Sequence, residues 1–163
     1  MTRLESVLAR HTTPLDPGAR LVLADLEREY DDRYGDLFGE PAAVEIARYP
    51  DAAFSTPGGT FLLLERAGEV VSAGAFMTVA PATVEVKRMW TRADQRGRGL
   101  ARLVLAELEA EARRRGARRV VLSTGPRQPE AVRLYLATGY TPLFDPALGA
   151  EQIVIHRFEK ELS

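Results

Sequence analysis

Between Val84 and Ala101 the chain reads VEVKRMWTRADQRGRGLA, and this stretch restricts the fold more than any other. Its first half interleaves Val84, Val86, Met89 and Trp90 with charged residues, the pattern of a strand with a buried face. Its second half is Arg96-Gly97-Arg98-Gly99-Leu100-Ala101, and from Leu100 to Arg115 the apolar spacing is helical. A strand therefore passes through a loop of two glycines and two arginines into a helix. That geometry suits anion binding. Glycines allow successive N–H groups to converge, and the helix start adds unpaired amides and a positive dipole end. Arg96 and Arg98 add forked donors that match phosphate oxygens. A tight turn with solvated arginines is the plain alternative. A dinucleotide fingerprint lacks its third glycine, because Arg102 stands there, and a Walker loop lacks Gly-Lys-Ser/Thr.

Around this stretch the chain divides cleanly. Residues 4–10 are expected to form a first strand. Asp16-Pro17 marks a helix start that runs to about Tyr34, with Leu23, Leu26, Tyr30 and Tyr34 on one face and Gly35 as the stop. A short helix is expected over Pro41–Arg48, within a section in which Phe38, Tyr49 and Phe54 either pin a loop to the core or line a pocket. Thr60–Arg66 and Glu69–Val79, joined by Ala67-Gly68, form a hairpin, and Gly74 signals a bulge or a close backbone approach. Ala80-Pro81-Ala82 then leads into the strand at Val84, completing an antiparallel meander.

The helix after the loop should turn Leu100, Leu103, Val104, Leu108 and Ala112 inward and Glu107, Glu109, Glu111, Arg113, Arg114 and Arg115 mostly outward. Arg118–Thr124 reads as a buried strand parallel to the central one, reached by a right-handed crossover. A helix opens at Pro129 and closes at Gly139, and strands follow at Tyr140–Phe144 and Ile153–Glu159.

Length and composition exclude several classes. With 163 residues, 45% hydrophobic and 28% charged, the chain is expected to be one domain over 1–163 with a real core. A net charge of −1 gives no general attraction to nucleic acid or to anionic membranes. The absence of cysteine removes disulfides, thiolate metal sites and a thiol nucleophile. No apolar run reaches the about 18 residues of a membrane span, so a cytoplasmic location is expected.

The sequence Arg96-x-x-Gly99-x-Ala101 resembles the Q/R-x-x-G-x-G/A loop of the GNAT superfamily of acyl-CoA-dependent N-acyltransferases. Downstream, QPEAVRLYLATGY is similar to the family's N-x-x-A-x-x-x-Y-x-x-x-G-F/Y segment, with Ala131, Tyr135, Gly139 and Tyr140 in register and Gln128 replacing the usual asparagine. The resemblance spans nearly the whole chain. It implies an α+β, three-layer fold: a mixed, mostly antiparallel sheet of about six or seven strands flanked by helices, with a splayed parallel strand pair.

It further implies acetyl-CoA as co-substrate and no metal. The backbone of Met89, Trp90 and Thr91 would hold the pantetheine arm, with Gln128 beside it and an N–H near Trp90 polarising the thioester carbonyl. The amides from Gly97 through Leu100 to Ala101, with Arg96 and Arg98, would hold the diphosphate. Tyr135 is the candidate acid for the departing thiolate and Glu85 the candidate base through water. A core tyrosine, and an ion pair of Glu85 with Lys87 or Arg88, are the competing readings of those two residues. His11 and His156 are read as structural or exposed. The acceptor would be a small-molecule or protein amine, its pocket shaped by residues 30–59, and the assembly a monomer or homodimer. An acyl-CoA sensor without turnover is the alternative function.

Overall fold

The structure, a computed structural model, describes residues 6–35 and 37–163. Residues 4 and 5 of the expected first strand lie outside the described residues; the strand observed, β1, is Val7–Thr12. Helix α1 spans Pro17–Tyr34 as its signals dictate: Asp16 Oδ1 accepts from the Gly18 amide at 2.8 Å, Pro17 occupies the first turn, and Gly35 caps the end at φ +50°. A short helix α2, Ala42–Ala47, packs against it.

Strands β2 (Gly59–Arg66) and β3 (Glu69–Ala80) form the hairpin, with Ala67 and Gly68 both at positive φ (52° and 81°), as a tight turn between twisted strands requires. Strand β4 (Thr83–Thr91) completes the meander, α3 (Leu100–Arg114) follows the glycine loop, and β5 (Arg119–Thr124) returns parallel to β4. Helix α4 (Pro129–Ala137), β6 (Thr141–Pro142) and β7 (His156–Glu161) finish the chain. The seven strands make one sheet in the order β1-β2-β3-β4-β5-β7-β6, antiparallel except for β4–β5.

Two cores sandwich this sheet. Val84, Val86, Val104, Leu108, Leu122 and Phe158 fill the face under α3 and α4, whereas Val22, Leu26, Phe61, Leu63 and Trp90 fill the face under α1. Strand β4 contributes to both because its parity changes midway. Ala75 pairs with Lys87 but Ala73 with Trp90, so Arg88 and Met89 together oppose Gly74, and Arg88 takes φ +63°. Before this bulge the even-numbered side chains face α3; after it Met89 does, and Trp90 turns to α1. Gly74 accommodates the bulge, since a Cβ there would lie 2.7 Å from Met89 Sδ and 2.9 Å from both Leu108 Cδ1 and Val104 Cγ1.

Four expectations need correction. Glu109 is buried, 8% exposed, and not outward: Tyr140 donates to its Oε2 at 2.7 Å and Lys160 Nζ to its Oε1 at 2.9 Å. Leu105, not Leu103, completes the inward stripe of α3, because 100-104-108-112 and 105-109 are the adjoining rows. The final strand starts at His156, not Ile153: β5 ends at Thr124, which opposes His156, so Ile153–Ile155 have no strand to pair with. The strand expected over Tyr140–Phe144 is shorter too: β6 is Thr141–Pro142, paired with β7, and beyond it the Leu143 amide still donates to Arg157 O at 2.8 Å.

Candidate active site

The parallel pairing of β4 with β5 runs only from Thr83–Arg119 to Val86–Leu122. Beyond it the strands part, and among the described residues the side of β4 from Lys87 to Thr91 that would face β5 has no ladder partner. Strand alternation decides which groups are free there. The Trp90 carbonyl accepts from Ser72 Oγ at 2.8 Å and the Arg92 amide donates to Val71 O at 3.0 Å, so both are committed to the β3 side. The backbone groups of Met89 and Thr91 point the other way, into the gap. Trp90 is held besides by its indole Nε1, which donates to Asp25 Oδ2 at 2.7 Å.

A cleft of about 610 Å³ opens at this gap. Its floor is the splayed strands and its end wall is the glycine loop. Gly97 and Gly99 both adopt left-handed conformations (φ 76° and 78°), and a Cβ on either would meet nothing within 4 Å. The loop is therefore glycine for its backbone shape, with open space above it. Among the described residues, the amides from Gly97 to Arg102 donate to no protein acceptor, and α3 begins here without a side-chain cap.

Most of the residues singled out in the sequence converge on this cleft: Met89, Trp90, Thr91, Arg96, Gly97, Gly99, Leu100, Ala101, Gln128 and Tyr135 all line it. Arg98 does not line it and stands exposed on the loop's outer rim. Arg96 is already engaged, its Nη2 donating to Glu29 Oε2 at 3.0 Å and its Nε to Thr91 O at 3.2 Å, so it ties the loop to α1. Among the described residues, the arginine that lines the cleft without a protein partner is Arg102, which the sequence pattern did not single out as a ligand. The signal was present, since a cation in a helix's first turn opposes the dipole unless an anion stands there.

Gln128 presents its amide in one orientation. Its Oε1 accepts from Tyr34 Oη at 2.7 Å, Thr124 Oγ1 at 3.0 Å and the Gly125 amide at 3.4 Å. The Gly125 amide can only donate, which fixes the oxygen inward and leaves Nε2 for the cleft. Gly125 makes room for Tyr34, whose hydroxyl oxygen would lie 2.3 Å from a Cβ there. Burial pushes the Tyr34 hydroxyl up to about 12, keeping it a donor at neutral pH. Tyr135 is buried, its ring 5.4 Å from that of Phe158 and 5.8 Å from that of Tyr140. Its hydroxyl has no protein partner among the described residues, and burial raises its pKa, with a smaller contribution from Tyr30.

Glu85 lies outside this cleft, in an adjoining chamber of about 490 Å³ that shares Tyr30, Val86, Lys87, Arg88, Ser123, Thr124 and Gln128 with it. The two spaces thus meet where the strands part. Lys87 Nζ is 3.3 Å from Glu85 and 3.7 Å from Glu45, and lies over the Tyr49 ring. Arg88, 4% exposed at the bulge, donates to the carbonyls of Glu45 and Ile46 and covers the Phe54 ring. Of the aromatics whose role was open, Tyr49 and Phe38 line the chamber and Phe54 belongs to the core. His156 is buried against Phe144, and His11 bonds Thr60 and Glu107 on the far side of the sheet; neither lines these spaces. Among the described residues no acidic or histidine cluster is placed to hold a metal, and no helix is long and apolar enough to cross a membrane.

These features match known proteins along most of the chain. Residues 23–140 match the model of the acetyltransferase (GNAT) family. The uncharacterised N-acetyltransferase YjgM of Escherichia coli (strain K12) is 30% identical over 152 residues, covering 88% of this chain and 86% of that protein. The IAA acetyltransferase of Azospirillum brasilense is 28% identical over 138 residues, covering 84% and 86%. The fold is shared with the PaiA N-acetyltransferase of Thermoplasma acidophilum, solved with coenzyme A, at a TM-score of 0.71 and 14% identity over 95% of this chain and 98% of that one. The chain belongs to the GNAT acetyltransferase family. It is an N-acetyltransferase, of the class that moves an acyl group from coenzyme A to an amine.

Proposed function

We propose that the larger cleft takes acetyl-CoA and that the adjoining chamber admits the acceptor amine to the point where the two meet. The observation that carries this reading is the run of open amides from Gly97 to Arg102, which shares one cleft with an unpaired strand edge. The amides and Arg102 suit a diphosphate, with Arg98 adding charge at the rim. The backbone groups of Met89 and the Thr91 amide, whose carbonyl Arg96 already engages, suit the amides of a pantetheine arm, and Gln128 Nε2 adds a fixed donor beside them. Acetyl-CoA, when bound, supplies an activated acyl thioester whose sulfur must leave as a thiol.

The residues of the chain then divide the proton work. Glu85, beside the amine's approach, accepts a proton through water and keeps the amine neutral for attack. The Met89 amide, next to Trp90 and on the gap side by strand alternation, donates to the developing oxyanion. Tyr135 holds a proton that its raised pKa keeps in place at neutral pH, and gives it to the leaving sulfur.

Titration calorimetry with acetyl-CoA tests the reading. The wild type should bind, and its melting temperature should rise with ligand concentration. Gly99→Val should lose at least tenfold in affinity, because a β-branched residue resists φ +78°. Open space around Gly99 lets the rest of the fold stand, so the melting temperature without ligand should fall only a few degrees. Normal binding by the variant would place the cofactor elsewhere.

A further inference from the structure

We infer that the acceptor is a zwitterion: an amino acid whose carboxylate lies close to the reacting amine and whose side chain is bulky and apolar. This deepens the acyl-transfer reading and rests on it. The first observation is the charge balance of the smaller chamber. Arg48 is paired with Glu40 and Glu45, and Lys87 with Glu85 and Glu45, while Arg88 rests on Glu45. These groups largely neutralise one another, which gives neither a polyamine nor a polyanion a field to follow. Two lining charges remain outside that set. Asp31 accepts from the Ala42 amide through Oδ1, and Arg157 has no acidic or carbonyl partner among the described residues.

The second observation is where Arg157 stands. Phe158 is buried in the core under α3 and α4, so by strand alternation its neighbour Arg157 faces the opposite side of the sheet, that of the chamber. Arg157 is directly opposite Ser123, which lines both cavities. Adjacent strands lie about 4.8 Å apart, so the free guanidinium belongs one strand away from the meeting point of amine and thioester. An anion held there is close to the reacting nitrogen, as in an α- or β-amino acid, and a guanidinium is suited to grip a carboxylate with two parallel bonds. Glu85 attends the ammonium end.

The third observation is the wall. Tyr34 and Phe38 meet at a tilt with centroids 5.0 Å apart, Tyr49 lies deeper, and Phe38 and Ile155 remain 42% and 44% exposed at the mouth. Half-exposed aromatic and aliphatic surface beside a cavity favours an apolar body that covers it.

A thiol-release assay with acetyl-CoA, products confirmed by mass, should compare phenylalanine, leucine, phenethylamine, spermidine and a lysine-containing peptide. Phenylalanine or leucine should be acetylated with a kcat/KM at least tenfold above that of phenethylamine, which lacks the carboxylate. In Arg157→Gln the KM for the amino acid should rise about tenfold, the KM for acetyl-CoA should hold, and the preference over phenethylamine should fall toward one. Phenethylamine, spermidine or the peptide outperforming the amino acids would overturn the inference. So would an unchanged preference in Arg157→Gln, or no turnover of any of these amines by a protein that binds acetyl-CoA. Failure of the wild type to bind acetyl-CoA in calorimetry would instead remove the acyl-transfer reading itself.

Discussion

Tyr135 combines a hydroxyl without a partner among the described residues with a tightly packed ring, and these two properties can be separated. Its ring meets Tyr140 and Phe158, whereas its oxygen belongs to the cleft wall. Tyr135→Phe removes only the oxygen, so the melting temperature and the affinity for acetyl-CoA should stay within a few-fold or a few degrees of wild type. If the hydroxyl protonates the leaving sulfur, kcat should fall about 10²-fold, the lower range for losing a general acid. The pH dependence follows from its environment. Burial disfavours the phenolate and raises the pKa, so the active, protonated form persists above the ordinary tyrosine value of about 10. The alkaline decline of kcat due to this group should therefore begin above that value. An unaltered kcat in the variant would return Tyr135 to a packing role.

At the scale of elements, the bulge in β4 is what lets one strand serve both cores and still present Met89 to the gap. Gly74 is its counterpart on β3. Gly74→Ala would press a methyl to within 3.0 Å of Met89 Sδ, Val104 Cγ1 and Leu108 Cδ1, so these packed side chains must shift to take it. Overpacking of this kind costs about 2 kcal/mol, which for a chain of this size lowers the melting temperature by roughly 4–8 °C. Differential scanning fluorimetry would measure it, and an undiminished melting temperature would mean the bulge relaxes freely. Gly74 was legible as a special position in the sequence because it interrupts an otherwise apolar strand. So were the α1 start at Asp16-Pro17, the hairpin turn, and the glycine loop with its helix, all set by local chemistry. What was not legible depends on distant partners. Glu109 looks like a surface acid in its helix, and only the arrival of Tyr140 and Lys160 makes it a buried one. Ile153–Ile155 alternate well enough for a strand, but β5 ends before it can pair with them. The same holds in the site: the loop residues were readable as a motif, whereas the orientation of Gln128 needs Tyr34, far away in the chain.

For the molecule as a whole, the sheet is an antiparallel meander, β1–β4, joined to a β5–β7–β6 half by the short parallel seam that opens into the cleft. The second half carries a titratable weak point at the open end of that seam. His156 is 4% exposed and its Nδ1 is buried without a partner among the described residues, while its ring meets Phe144 at 4.8 Å. Desolvation lowers its pKa below the ordinary value near 6.5. The sign follows directly. Above about 6.5 the imidazole is neutral in both folded and unfolded chains and its titration costs nothing. Below that value the unfolded chain binds a proton that the folded chain refuses, so stability falls as pH falls until the folded group titrates too. A single proton contributes at most about 1.4 kcal/mol per pH unit.

His156→Leu removes this titration and keeps an apolar contact for Phe144. Thermal scans from pH 7.5 to 5.5 should show the wild type losing a few degrees more than the variant. The surface carboxylates are common to both proteins and cancel in the comparison. Because His156 opposes Thr124, which donates to Gln128, the acid loss should also appear as weaker acetyl-CoA binding in the wild type than in the variant at pH 5.5. Parallel melting curves across the range would show that the folded protein accepts the proton without penalty, and that the end of the seam does not respond to pH through this residue.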